Sequence, residues 1–314
     1  MADKFNWSTT GEEVVNEFAS LIKGKTGVAP GGLGGATAIA LAKAQPSLIL
    51  LHARSEAKIA PIAKDVQNEG VPTRSVVMDL ASLTSVRKAA ETIVSQSNIV
   101  IDVIINCAGV MATPYGTTED GFEQQFGINH LSHFLFTNLL IRAGKVANGG
   151  RIVNVSSGGH MFMGKGIRWD DINFSAGEKY EKYEGYGQSK TANVLFSVAL
   201  ADKLKSRNIL SFSLTPGIIN TNLGRHQSED DIGTLMEHVK TVFREVPTNL
   251  DYRTLSQGIS TQIVAAFSPL IIDQSGGYLI DCQIQPAAPF ASSLENANRL
   301  WAISESMVGE TFSF

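Results

Sequence analysis

A chain of 314 residues, 43% hydrophobic and 18% charged, can bury a sizeable core, and no uninterrupted apolar run approaches the ~20 residues of a membrane span. Its net charge of −4 and pI near 5.9 leave no electrostatic footprint for nucleic acid. Two cysteines, Cys107 and Cys282, are too few for a disulfide framework, and Asp3, Glu12, Glu13 and Glu17 interrupt any secretory signal, so a soluble, cytoplasmic protein is expected.

Thr9 and Thr10, each followed three residues later by Glu, are capping-box signals for a helix through about Leu21. Residues 1–23 thus read as an N-terminal helical extension with Val14, Val15, Phe18, Leu21 and Ile22 on its apolar face. Next comes "GKTGVAPGGLGGATA" (24–38), a glycine-rich turn opening a helix that ends before Pro46. "SLILLHA" (47–53) is a continuous apolar run suited to a strand buried on both faces. A helix containing Pro61 follows, then a strand at 73–80, a helix at 82–96 and a strand at 101–109. A long helical segment covers 121–145. "RIVNVSS" (151–157), a helix over 186–206 and "ILSFSLTPG" (209–217) continue the rhythm, and a strand at 276–284 and a helix from 293 close it. This alternation specifies an α/β fold, a single-domain, doubly wound parallel sheet of Rossmann-like type spanning 1–314, because parallel neighbours require crossovers.

The glycine turn poses a problem, since a buried strand normally precedes such a turn and here a helix runs almost directly into it. The missing strand belongs at the sheet centre, between 47–53 and 101–106. Sliding "LIKGKT" into that slot would bury Lys23 and Lys25 on one face, at several kcal/mol per unpaired ammonium. Alternatively "KTGVA" becomes the strand and leaves only "PGGLGG" to turn under the phosphates. An empty slot would orphan ladder groups on both neighbours at ~1–3 kcal/mol each. We therefore read the first central strand as shortened or replaced, through a deletion ahead of Thr26.

Ligands of such sheets bind beyond the carboxyl ends of the strands. Asp79, Asn106, Ser156-Ser157 and Pro216-Gly217 all fall at predicted strand ends. "YGQSK" sets Tyr186 and Lys190 four apart, on one helix face. A phenol with pKa near 10 is a poor acid at neutral pH, and a neighbouring ammonium lowers that value. A serine hydroxyl can polarise a carbonyl beside them. Tyrosine as acid, lysine as tuner and serine as positioner form coherent machinery for carbonyl–alcohol interconversion.

"NCAGVMATPYGTTEDGFEQQFGINHLSHFLFTNLL", "GRIVNVSSGGH", "YGQSKTANVLFSVALA" and "LTPGIINTNL" resemble, in order and spacing, the short-chain dehydrogenase/reductase family, in its retinol-dehydrogenase-like branch. The ending "GGYLIDCQIQPAAPFASSLENANRLWAISESMVGE" is similar to fungal members. The resemblance implies Tyr186 as acid/base, Lys190 as its tuner and a ligand of the nicotinamide ribose, and Ser157 as orienter of the substrate oxygen. It implies Asn129 as support for a water-linked proton relay. Pro216, Gly217 and Thr221 would hold the nicotinamide end, Asp79 the adenine, and Asn106, Ala108 and Gly109 the stretch that the family writes as "NNAG". Gly27, Gly32, Leu33 and Gly34 would form the phosphate turn. Plain structural readings exist beside these: Ser157 as a strand cap, Asn129 as a helix polar residue, Asp79 as a helix cap. His130 and His133 lack a further ligand cluster and read as structural rather than metal-binding.

Arg54 stands at the end of the second strand, where a carboxylate would favour NAD and an arginine accommodates a 2′-phosphate, so the expected cofactor is NADP. Cys107 replaces the second asparagine of "NNAG". Met161, Phe162, Met163, Trp169, Leu235, Met236 and Phe243 flank the expected site, with 222–250 as a substrate-side segment, and point to a small apolar carbonyl compound or alcohol. The resemblance also allows a homo-oligomer. The competing expectation is a non-catalytic or weakly NADP-binding member of the fold, impaired at its first strand.

Overall fold

The structure is a computed structural model that describes residues 4–30, 32–228, 231, 233, 235, 240 and 251–314. Each continuous apolar run forms a strand: β1 (Thr26–Pro30), β2 (Leu48–Ala53), β3 (Thr73–Val77), β4 (Ile101–Asn106), β5 (Val146–Val155) and β6 (Leu210–Leu214). Two two-residue strands follow, β7 (Ile218–Ile219) and β8 (Tyr252–Arg253), and then β9 (Tyr278–Ile280) and β10 (Gln283–Gln285). The main sheet runs β10-β9-β6-β5-β4-β1-β2-β3, with β7 and β8 paired separately. All neighbours from β3 to β9 are parallel. This is the α/β Rossmann-like order that the strand–helix alternation implies.

The central slot is filled by the loop's own residues. β1 pairs with β2 from Thr26↔Leu48 to Pro30↔His52, and with β4 at Gly27↔Val103 and Val28↔Ile104. Gly27, expected in the phosphate turn, therefore lies within the sheet. The reason is that leaving the ladders of β2 and β4 unpaired costs more than straightening a loop. Lys23 and Lys25 remain exposed, so the buried-lysine repair is avoided. The replacement strand is under-filled. An apolar cavity of about 20 Å³ lies beside Gly27 and Ala29, among Ile22, Leu41, Val103 and Phe267.

Some boundaries differ from the sequence reading. Residues 276–284 form an antiparallel hairpin rather than one strand, because Asp281 and Cys282 take left-handed φ values of 54° and 66°. Pro61 does not break the helix Glu56–Asn68. The long helical segment is Gln124–Phe126, a π-helical turn Gly127–Leu131, and Ser132–Arg142.

The helices cover both faces. Thr10 caps the helix Gly11–Glu17 in a full capping box. Val14, Val15, Phe18 and Ile22 then bury against Ile259 and Ile263 of the helix Leu255–Phe267. The Gly11 N–H donates to Ser256 Oγ, 245 positions away. On the other face, Phe134 and Phe196 pack against Trp301 of the helix Leu294–Val308, with Phe312 closing over Phe134. No helix among the described residues is long and apolar enough to cross a membrane.

Candidate active site

The carboxyl ends of β1 to β6 converge, and most residues named from the sequence sit there. The helix Lys182–Lys203 carries Tyr186 and Lys190, both buried. Gly187 between them is a steric requirement, since a Cβ there would overlap the Met163 carbonyl oxygen. The two serines beyond β5 divide their work. Ser156 Oγ donates to the Lys190 carbonyl at 2.7 Å and so fastens helix to strand. The Ser157 hydroxyl accepts the Gly159 N–H at 3.0 Å and stands beside the Tyr186 ring, since a Cβ on Gly159 would meet both, at 3.4 and 3.3 Å.

Burial governs the electrostatics of this pair. It pushes the Tyr186 phenol up to about 12, with the Ser157 hydroxyl pulling the other way. Lys190 Nζ donates to the Val155 carbonyl at 3.0 Å and stands 5.6 Å from the Tyr186 ring centroid. Burial brings Lys190 itself down to about 8. Desolvation dominates both groups because each charged form lies out of water.

Asn129 lies in the π-helical turn and locks the loop after β4. Its Oδ1 accepts the Val110 N–H at 2.8 Å, and its Nδ2 donates to the Val110 carbonyl and to Ser189 Oγ, both at 2.9 Å. Ser189 Oγ in turn donates to the Tyr186 carbonyl. His133 Nδ1 donates to the Asn129 carbonyl at 3.0 Å, and burial takes this imidazole down to about 4. His130 bonds Ser304. No group of His, Cys, Asp and Glu among the described residues could hold a metal ion.

On the dinucleotide side the placement is mixed. Gly32 has φ +67° with open space where a Cβ would stand, and Leu33 and Gly34 begin the helix Leu33–Ala42. A Cβ on Gly34 would lie 2.6 Å from Pro30, which makes it the close-packing glycine of a nucleotide turn. These residues fit a pyrophosphate at a helix N-terminus, although Pro30 offers no N–H. Gly109 fits too, since a Cβ there would come within 2.7 Å of Asn129 Oδ1 and 3.7 Å of Lys190 Nζ. Ala108 is half-buried beside it. Arg54 is exposed just past β2. Asp79 turns the chain after β3 by accepting the Ala81 N–H at 2.9 Å.

Asn106 ends β4 with its side chain buried. Its Nδ2 donates to Thr137 Oγ1 at 2.9 Å and Asn154 Oδ1 at 2.8 Å, so the side chain joins a buried network linking β4, β5 and the helix Ser132–Arg142. Gly217, at φ +86°, lies under the Arg253 side chain, which pairs with Asp281. Thr221 caps a short turn by accepting the Leu223 N–H.

Met161, Phe162, Leu235 and Phe290, expected or newly found near the site, pack half-buried against one apolar cluster that includes Tyr278 and Ala288. Trp169 instead packs against the main core beneath Arg299. Met236 and Phe243 lie outside the described residues, as does most of 229–250. Lys182 pairs with Asp231 at 2.7 Å and ties that segment to the start of the Tyr186 helix. The sequence reading missed Phe290 and His160. The signal for His160 was its place three residues beyond Ser157, on the motif itself.

A family model described as short chain dehydrogenase matches residues 26–166. Retinol dehydrogenase 14 of Mus musculus is 37% identical over 307 residues, covering 92% of this chain and 87% of that protein. An uncharacterised protein from Mycobacterium paratuberculosis superposes with a TM-score of 0.72 at 28% identity, over 93% of this chain and 96% of that one. A blue fluorescent protein from a metagenomic library, solved with NADPH, shares the fold at TM-score 0.60 and 23% identity, over 82% of this chain and 96% of that one. A sheet in Rossmann order, a tyrosine–lysine–serine group at its carboxyl edge and a relative matched along most of its length place this chain in the short-chain dehydrogenase family of oxidoreductases, on its retinol-dehydrogenase-like side.

Proposed function

We propose that the chain, as one unit over 1–314, is an NADP-dependent oxidoreductase that interconverts a carbonyl and an alcohol on a small apolar substrate. The observation that carries this reading is the buried Tyr186 phenol beside the Ser157 hydroxyl, with the Lys190 ammonium 5.6 Å from its ring. Bound nicotinamide would supply or accept the hydride. Tyr186 gives its phenolic proton to the substrate oxygen in reduction and takes it back in oxidation. Ser157 orients that oxygen, and Lys190 steadies the phenolate with its charge. Asn129 holds the loop that carries Gly109 against the Tyr186 helix, and its turn supports the proton relay.

For the cofactor, Gly32 and the first turn of Leu33–Ala42 would face the pyrophosphate, Arg54 the 2′-phosphate, and Pro216, Gly217 and Thr221 the nicotinamide end. The NADPH of the metagenomic fold neighbour supports this only as a fold-level analogy. The apolar cluster supports an apolar substrate, in keeping with the retinol dehydrogenase relative.

The test is NADPH oxidation with an apolar aldehyde or ketone. Wild type turns over, and Tyr186→Phe abolishes turnover while keeping NADPH affinity. Wild type without NADPH binding by calorimetry sinks the proposal. One observation favours a second reading, a weak dinucleotide binder: β1 has consumed the front of the turn, so Gly27 is spent in the sheet and Pro30 donates nothing. NADPH affinity separates the two readings.

A further inference from the structure

His160 has two partners and they admit one tautomer. Its Nδ1 faces the Ser157 carbonyl at 2.7 Å, and the Ala288 N–H faces Nε2 at 3.2 Å. A carbonyl only accepts and an amide N–H only donates, so Nδ1 carries the proton and Nε2 is bare. The ring is buried and stands edge-on to Tyr278, with centroids 4.8 Å apart. Burial takes the imidazole down to about 4, so it stays neutral at working pH.

The two ends of this bridge are functionally different. Ser157 is the serine beside Tyr186. Ala288 is the residue from which the helix Pro289–Ser292 starts, and that helix carries Phe290 of the apolar cluster. We propose that His160 is a positioning residue that couples the segment 288–291 to Ser157, so that substrate packing on Phe290 sets the serine that receives its oxygen. The proposal rests on the carbonyl-reductase reading of the site.

The two bonds can be separated by substitution. His160→Asn keeps a donor near the Nδ1 position, and His160→Gln keeps an acceptor near the Nε2 position. With NADPH and an apolar aldehyde, His160→Leu should lose roughly 10- to 100-fold in kcat and raise KM several-fold. His160→Asn should recover most of kcat with KM still raised, whereas His160→Gln should recover KM with kcat still low. NADPH affinity within roughly twofold of wild type shows that the variants are folded. Asn and Gln variants that move kcat and KM alike, or that match wild type, overturn the coupling.

A second measurement needs neither variants nor turnover. 15N NMR of histidine-labelled wild type should show His160 protonated at Nδ1 and bare at Nε2, and the opposite tautomer overturns the bridge. If wild type turns over no carbonyl substrate, the functional reading fails, while the NMR arm still decides the bridge.

Discussion

The Thr26 N–H donates to Asp102 Oδ2 at 2.8 Å, and Lys25 Nζ reaches Asp102 Oδ1 at 3.0 Å. One carboxylate thus pins the first residue of the replacement strand to β4. The bond from Thr26 is charge-assisted and half-buried, so Asp102→Ala should cost about 1.5–3 kcal/mol in urea unfolding. The Lys25 pair is exposed and adds little. An unchanged midpoint would mean that β1 is not held this way.

Gly27 separates a strand from a phosphate turn. In the strand, a methyl meets only the Val103 carbonyl oxygen, at 3.9 Å, and fills part of the adjoining cavity. Gly27→Ala should therefore stabilise by about 0.5–1 kcal/mol and leave NADPH affinity unchanged. A loss of NADPH affinity without a gain in stability would return Gly27 to the turn.

Gly187→Ala should do the reverse. The methyl would overlap backbone rather than a mobile side chain, so either the 158–166 segment or the helix must move. We expect a loss of about 1–3 kcal/mol together with turnover, because Ser157 and Tyr186 stand on the two parts forced apart. A variant with wild-type kcat would show that Met163 yields freely.

Four buried histidines set the acid limit. Desolvation lowers His52 and His130 to about 3 and His133 and His160 to about 4, from 6.5. Between about pH 4 and 6.5 the unfolded chain binds protons that the folded chain refuses, so stability rises with pH across that window. Stability is lost as pH falls below 6.5, and unfolding near pH 5 should take up close to four protons from these groups. Urea midpoints that are flat from pH 7 to 5 would contradict the burial.

Much of the site was legible because its spacing is local. Tyr186 and Lys190 are fixed by one helix turn, and Ser157 by the end of an apolar run. Gly27 was misplaced because its neighbours spell a turn, while the vacancy that recruits it lies between β2 and β4, far off in sequence. The direction of the Asn106 side chain was not legible, because a strand residue at the edge of the site can point inward and only packing against Thr137 and Asn154 decides this. The His160 bridge joins residues 128 positions apart, beyond the reach of periodicity. The bond from Lys190 to the Val155 carbonyl was not legible, because proximity on a helix face does not specify where an ammonium points.

The N-terminal helix finds its apolar partner in the helix that begins about 245 positions later. During synthesis, therefore, Val14, Val15, Phe18 and Ile22 meet Ala40, Leu41 and Val103 first, and their cover is completed only when Ile259 and Ile263 have followed. The opposite layer likewise waits for Trp301 and Phe312. Neither face is complete until late in synthesis, so the nascent chain carries exposed apolar surface that the finished fold conceals.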